Sequence, residues 1–189
     1  QMCIRDRPGA NSDTSWKGDS SNLWPARGGE FRPIQALYVT NYTNRWHDYE
    51  AQKDDLLQGM SRLINIEFDM VGKHHDDAYS LMDVPDFGLG YDVIIYNMCF
   101  APDFDLERIN NIISQTRDYG IPSVLVHCSM HSFQPTSPNY RRNRLERIAA
   151  EGEWRDTYPN IEFPSWWNFT GVDTLTHDWP RRLDVRAVD

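Results

Sequence analysis

The sequence predicts an α/β fold of the doubly wound class, a parallel β-sheet with helices packed on its faces. Two observations predict it. Short apolar runs rich in β-branched and aromatic residues recur along the chain, and stretches with helical spacing of apolar residues stand between them. Runs of that kind read as strands buried on both faces, and their alternation with helices calls for right-handed crossovers between parallel strands.

The first strand is "IQALYVT", from Ile34 to Thr40. After a polar loop, "YEAQKDDLLQGMSRLI" sets Leu56, Leu57, Met60 and Leu63 at helical spacing, which predicts one inner face. "NIEFDMV" alternates through Ile66, Phe68 and Met70 as the second strand, and "YDVIIYNMCF" supplies a third centred on Val93 to Tyr96. "FDLERINNIISQTRDYG" predicts a helix with Leu106, Ile109, Ile112 and Ile113 inward and Gly120 just past its end. "IPSVLVHC" is the fourth strand. The spacing thus predicts parallel strands near residues 34–40, 64–71, 92–97 and 121–127, in the flavodoxin-like order 2-1-3-4. Further on, "NYRRNRLERIAAEGEWRDTYPN" predicts a charged helix with Leu145, Ile148 and Ala149 as a thin apolar stripe. "GKHHDDAYS", which contains His74 and His75, reads as a solvated loop.

Composition bounds the function. A chain of 189 residues with 40% hydrophobic and 13% aromatic residues can build one proper core and hardly two. A net charge of -9, with Lys and Arg scattered apart from Arg141, Arg142, Arg144 and Arg147, argues against a nucleic-acid partner. No apolar run approaches the ~20 residues of a membrane-spanning helix. Cysteines at 3, 99 and 128 have neither the density of a disulfide framework nor zinc-finger spacing, so the redox compartment stays open. Residues 8–33 are rich in Gly, Ser, Asp, Asn and Pro, and the opening "MCIRDR" resembles the adapter-derived translation found at the ends of metagenomic assemblies. The expectation is therefore a bacterial gene fragment, with residues 1–33 a disordered or artefactual lead-in and 34–189 the domain. Its compartment is then the cytoplasm or, behind a lost signal peptide, the periplasm. Oligomeric state is not addressed by these features.

Doubly wound sheets bind ligands beyond the carboxyl ends of their strands, where the strand order reverses. The loop after strand one carries Trp46, His47 and Asp48. Strand three ends in Asn97, Met98 and Cys99, and strand four in His127 and Cys128, with His131 close behind. One solvent-reachable pocket lined by His47, Asn97 and His127, with His131 at its border, is the prediction. His47, His127 and His131 are candidate acid/base groups, because imidazole titrates near working pH. With Asp48 adding oxygen they can also ligate a divalent metal such as zinc. His127 and His131 have an i, i+4 spacing but lack the intervening Glu of metalloprotease motifs, and acid/base work is the preferred expectation. Trp46, Asp48, Asn97, Cys128 and Trp167 are candidate substrate contacts. Of the aromatic group Trp166, Trp167 and Phe169, two are expected to pack and one to offer a stacking wall for a sugar ring.

The segments "ALYVTNYTNRWHDYE", "YDVIIYNMCF", "VLVHCSMHSF" and "WWNFTGVDTLTHDWPRRLDV" resemble, in matching order, the trehalose-utilisation (ThuA-like) family. That family is related in fold to class I glutamine amidotransferases. The resemblance implies carbohydrate metabolism, with a small-molecule sugar as ligand, and adds His177 to the candidate site. It also implies that the domain continues past "RLDVRAV", so the chain is expected to be truncated at its carboxyl end. Two functions follow: an enzyme acting on a sugar or glycoside, or a non-catalytic carbohydrate-binding domain. A third is amidotransferase-like hydrolysis through Cys128. The amidotransferase nucleophile, however, sits on a glycine-flanked elbow, where this chain has Val126 and Met130, and no later His-x-Glu pair follows. Cys128 reads better as a small buried residue.

Overall fold

A computed structural model describes residues 32–42 and 47–175 of the chain. The expectations for residues 1–31, for Trp46 and for His177 lie outside the described residues.

The strands are β1 (Ile34–Thr40), β2 (Ile66–Val71), β3 (Val93–Asn97) and β4 (Ser123–Leu125). They form a parallel sheet in the order β2-β1-β3-β4, the order that the alternation of strands and helices predicts. The register sets Thr40 beside Asn97 and Tyr96 beside Leu125, so the carboxyl ends of β1, β3 and β4 lie along one edge. β4 is shorter than expected. The Val126 amide still donates to the Tyr96 carbonyl at 2.9 Å, but His127 then turns into the left-handed region, φ 45°, and the ladder stops.

The helices are α1 (Tyr49–Leu63), α2 (His75–Met82), α3 (Leu106–Arg117), α4 (Arg144–Thr157) and α5 (Trp166–Thr170), with 3₁₀ turns at His127–His131, Gln134–Thr136 and Arg141–Asn143. Successive strand residues point to opposite faces, and the two faces build two clusters. On one face Ala36, Tyr38 and Ile95 pack under Leu56, Leu57 and Met60 of α1. On the other, Leu37, Val39, Ile94 and Tyr96 meet Met82, Ile109, Ile112, Phe133 and Trp166. This second side holds the main core. Asp105 caps α3 by accepting from the Arg108 amide at 3.1 Å.

Three local expectations need correction. Leu63, at the end of α1, is 85% exposed, because the chain passes into extended backbone at Ile64 before the inner face reaches it. "HDDAYSLM" is a helix and not a loop: Asp77 accepts from the His74 amide at 3.1 Å in a capping box, and Ala78 and Met82 are buried. In α4 the stripe is turned to solvent, with Leu145 82% exposed, and the helix docks through Trp154. Just before β1, Arg32 forms a two-point ion pair with Asp92 at 2.6 and 2.9 Å.

Burial holds several phenols neutral. Tyr79 is pushed up to about 12, by burial first and by repulsion from Asp103 second, while burial raises Tyr49 and Tyr96 further. These groups ionise more easily in the unfolded chain, from the ordinary value of 10.0. Their contribution is therefore complete below about pH 10 and lost as pH rises through 12. Urea midpoints are expected to be flat up to about pH 8, to begin falling near pH 9, where the Cys128 thiol, held up to about 12 in the fold, ionises in the unfolded chain, and to fall steeply above 10. A midpoint unchanged at pH 11 would contradict this.

Among the described residues, no helix is long and apolar enough to cross a membrane.

Candidate functional site

The site is built where three strand ends meet. Asp48 closes the loop after β1 by capping α1, its Oδ1 accepting from the Ala51 amide at 3.0 Å. That cap turns Tyr49 inward, 1% exposed, and leaves His47 just outside the helix. The His47 ring stands edge-on to Tyr49, with centroids 5.6 Å apart, and edge-on to His127 at 4.8 Å. Its Nε2 lies 2.8 Å from the Cys128 Sγ.

The turn after β4 supplies the other side. His127 in left-handed backbone costs of order 1 kcal/mol or more, a strain that cores rarely carry without use. The turn keeps His127 exposed while Cys128 is buried at 1%. The loop after β3 braces it: the Phe100 amide donates to Ser132 Oγ at 3.0 Å, and the amides of Phe133 and Gln134 donate to the carbonyls of Phe100 and Ala101. The ligating atoms of His47, His127 and Cys128 all lie within 4.8 Å of one another.

Cys128 is not poised as a nucleophile. Burial first, and then the charge and hydrogen bond of Cys99, push its thiol up to about 12. With both causes acting in the same direction, the group stays a thiol near neutral pH. Either its S–H donates to His47 Nε2, or it donates to the Cys99 sulfur and His47 donates to it. The left-handed residue of the turn is His127, one position before Cys128.

Asn97 does not line the rim. It is 0% exposed, and its Nδ2 donates to Tyr38 Oη at 2.7 Å and to Gln52 Oε1 at 3.2 Å, bracing α1 against the sheet. Its Oδ1, with Thr40 Oγ1 and Tyr49 Oη, is a buried polar atom that has no hydrogen-bond partner among the described residues. His131 is carried away from His47, because a 3₁₀ turn repeats every three residues and does not align i with i+4. Its Nδ1 lies 3.3 Å from the Thr174 carbonyl. Asp48 serves as a helix cap and is not one of the clustered ligating groups. Trp166 is buried, Phe169 packs on it, and Trp167 is 38% exposed, beside Gln134 and Val172 rather than in the histidine cluster.

Two neighbours of the site were not anticipated. Cys99 hydrogen-bonds Cys128, and Tyr49 packs against His47 within electrostatic reach of both thiols. The pattern "HDY" does mark Tyr49 as the first residue after a capping Asp, the signal that could have placed it. No protein-family model matches the chain, and neither a curated protein nor a solved structure matches it.

Proposed function

We propose that this protein is an enzyme acting on a sugar or glycoside by acid/base chemistry at the rim shared by His47 and His127. The supporting observation is their contact at 4.8 Å above the carboxyl end of β3, between the ends of β1 and β4. Strand order reverses between β1 and β3, which is where doubly wound sheets take their ligands. The two imidazoles have different settings. His127 is exposed to solvent, whereas His47 is half-buried and oriented by Cys128 and Tyr49. An oriented imidazole beside an accessible one suits general base and general acid work on a hydroxyl or glycosidic oxygen. The sugar itself is supported by the ThuA-like resemblance of the segments that carry both histidines.

The test is turnover of a panel of aryl glycosides and disaccharides. His127→Asn, chosen because Asn tolerates left-handed backbone, is expected to lower kcat by about 100-fold or more with KM changed only a few-fold. Glycoside binding without turnover, with only affinity lost in the variant, would make the rim a binding site and overturn the enzyme.

A further inference from the structure

The geometry points to a second capacity of this rim: His47, His127 and Cys128 form a three-ligand site for a zinc-type divalent metal, with a coordination position left open to solvent. The inference builds on the reading of this rim as the working site, but its evidence is separate.

The donor set comes first. Two imidazole nitrogens and a thiolate sulfur suit zinc, which takes N and S ligands, and do not suit calcium or magnesium, which take oxygen. Spacing comes second. Tetrahedral zinc, with bonds of about 2.0–2.1 Å to N and 2.3 Å to S, holds its ligand atoms about 3.3–3.6 Å apart. Here His47 Nε2 and Cys128 Sγ are 2.8 Å apart, and all three ligating atoms lie within 4.8 Å. Adjustments of roughly 1 Å by side-chain rotation bring them to that spacing, with no demand on the sheet.

The backbone supports the same assignment. The left-handed conformation at His127 lets two successive residues, His127 and Cys128, serve one centre, where ordinary extended backbone sends neighbours to opposite sides. The surroundings complete it. Cys99 is within hydrogen-bond reach of Cys128, so its S–H can turn to donate to the Cys128 thiolate, a contact of the kind that orients a ligand. The Tyr49 hydroxyl, buried and with no hydrogen-bond partner among the described residues, lies near both thiols. Three protein ligands with the fourth position open is the pattern of catalytic zinc sites, and His127 lies at the solvent face, giving the metal an entry path.

Binding requires that the Cys128 thiol release its proton to solvent as the Zn–S bond forms, which zinc drives outright. A bound zinc would be held by His47, His127 and Cys128 and would supply Lewis-acid chemistry at its open position.

The experiment uses the full chain, stripped with chelator and titrated with Zn²⁺ or Co²⁺. One equivalent is expected, and the Co²⁺ form should show a thiolate-to-metal charge-transfer band with four-coordinate d–d bands. Cys128→Ser should lose the charge-transfer band. His127→Asn should weaken Zn²⁺ binding by more than about 100-fold, since outer-shell changes alone cost 10–100-fold. His74→Asn with His75→Asn should change neither. Circular dichroism of each variant checks that it is folded. Metal bound equally well by folded His127→Asn and Cys128→Ser, or lost instead with His74 and His75, would overturn the site. Binding of metal without any glycoside turnover would refute the sugar enzyme and leave the metal site; glycoside turnover by protein that takes up no Zn²⁺ or Co²⁺ in the titration would do the reverse.

Discussion

Replacing Gly72 with alanine is expected to remove at least about 4 kcal/mol of folding stability, a large share of the 5–15 kcal/mol that a domain possesses. Gly72 leaves β2 at φ 108°, a conformation L residues rarely adopt. An added Cβ would overlap the Thr40 carbonyl oxygen and approach its carbon at 2.6 Å. Both are backbone atoms of β1, so no side-chain rotation relieves the overlap. The Gly72 carbonyl also accepts from the Tyr42 amide at 3.2 Å, holding the chain as it leaves β1 toward His47. The damage thus falls on the carboxyl edge of the sheet, where the candidate site stands. Urea denaturation of the parent and Gly72→Ala measures it, and a difference under 1 kcal/mol would show that the β1–β2 edge is not packed as described.

Trp166→Ala is expected to cost about 3–5 kcal/mol, the range for emptying a large buried aromatic. Trp166 is 2% exposed and packs edge-on against Phe133 at 4.9 Å and against Phe169 at 5.2 Å. Its indole N–H donates to the Ser129 carbonyl at 2.9 Å, which also accepts from the Ser132 amide at 3.2 Å, so truncation also removes one of two hydrogen bonds holding the turn that carries His127 and Cys128. Trp166→Phe should recover most of the packing but not that hydrogen bond. The expected pattern is a partial rescue of stability with a site still weakened. Equal stability of Trp166→Ala and parent would contradict the core assignment.

The doubly wound order was legible because β1 and β3 carry continuous apolar runs, and only a sheet covered on both faces uses such runs. Parity was legible too, though it went unused: Asn97 shares the face of Val93 and Ile95, which α1 covers, so its burial follows from period two. The α2 helix was hidden by "HHDD", where the information lies in capping and first-turn charge rather than in apolar spacing. The exposed stripe of α4 shows the converse error, since its spacing is helical but its docking runs through Trp154. The approach of His47 to His127 follows from strand ends and topology alone. The burial of Cys128 does not, because it depends on the hand of one residue, His127, and no sequence pattern announces a left-handed histidine.

The contact between His47 and His127 is the claim on which the site, the proposed chemistry and the metal all depend. It is tested most directly by nuclear Overhauser effects between imidazole ring protons, with resonances assigned through His47→Gln and His127→Asn. Rings whose centroids are 4.8 Å apart should give a cross-peak in the parent that disappears in either variant. Sharp, assigned resonances for both rings with no cross-peak between them would contradict the account.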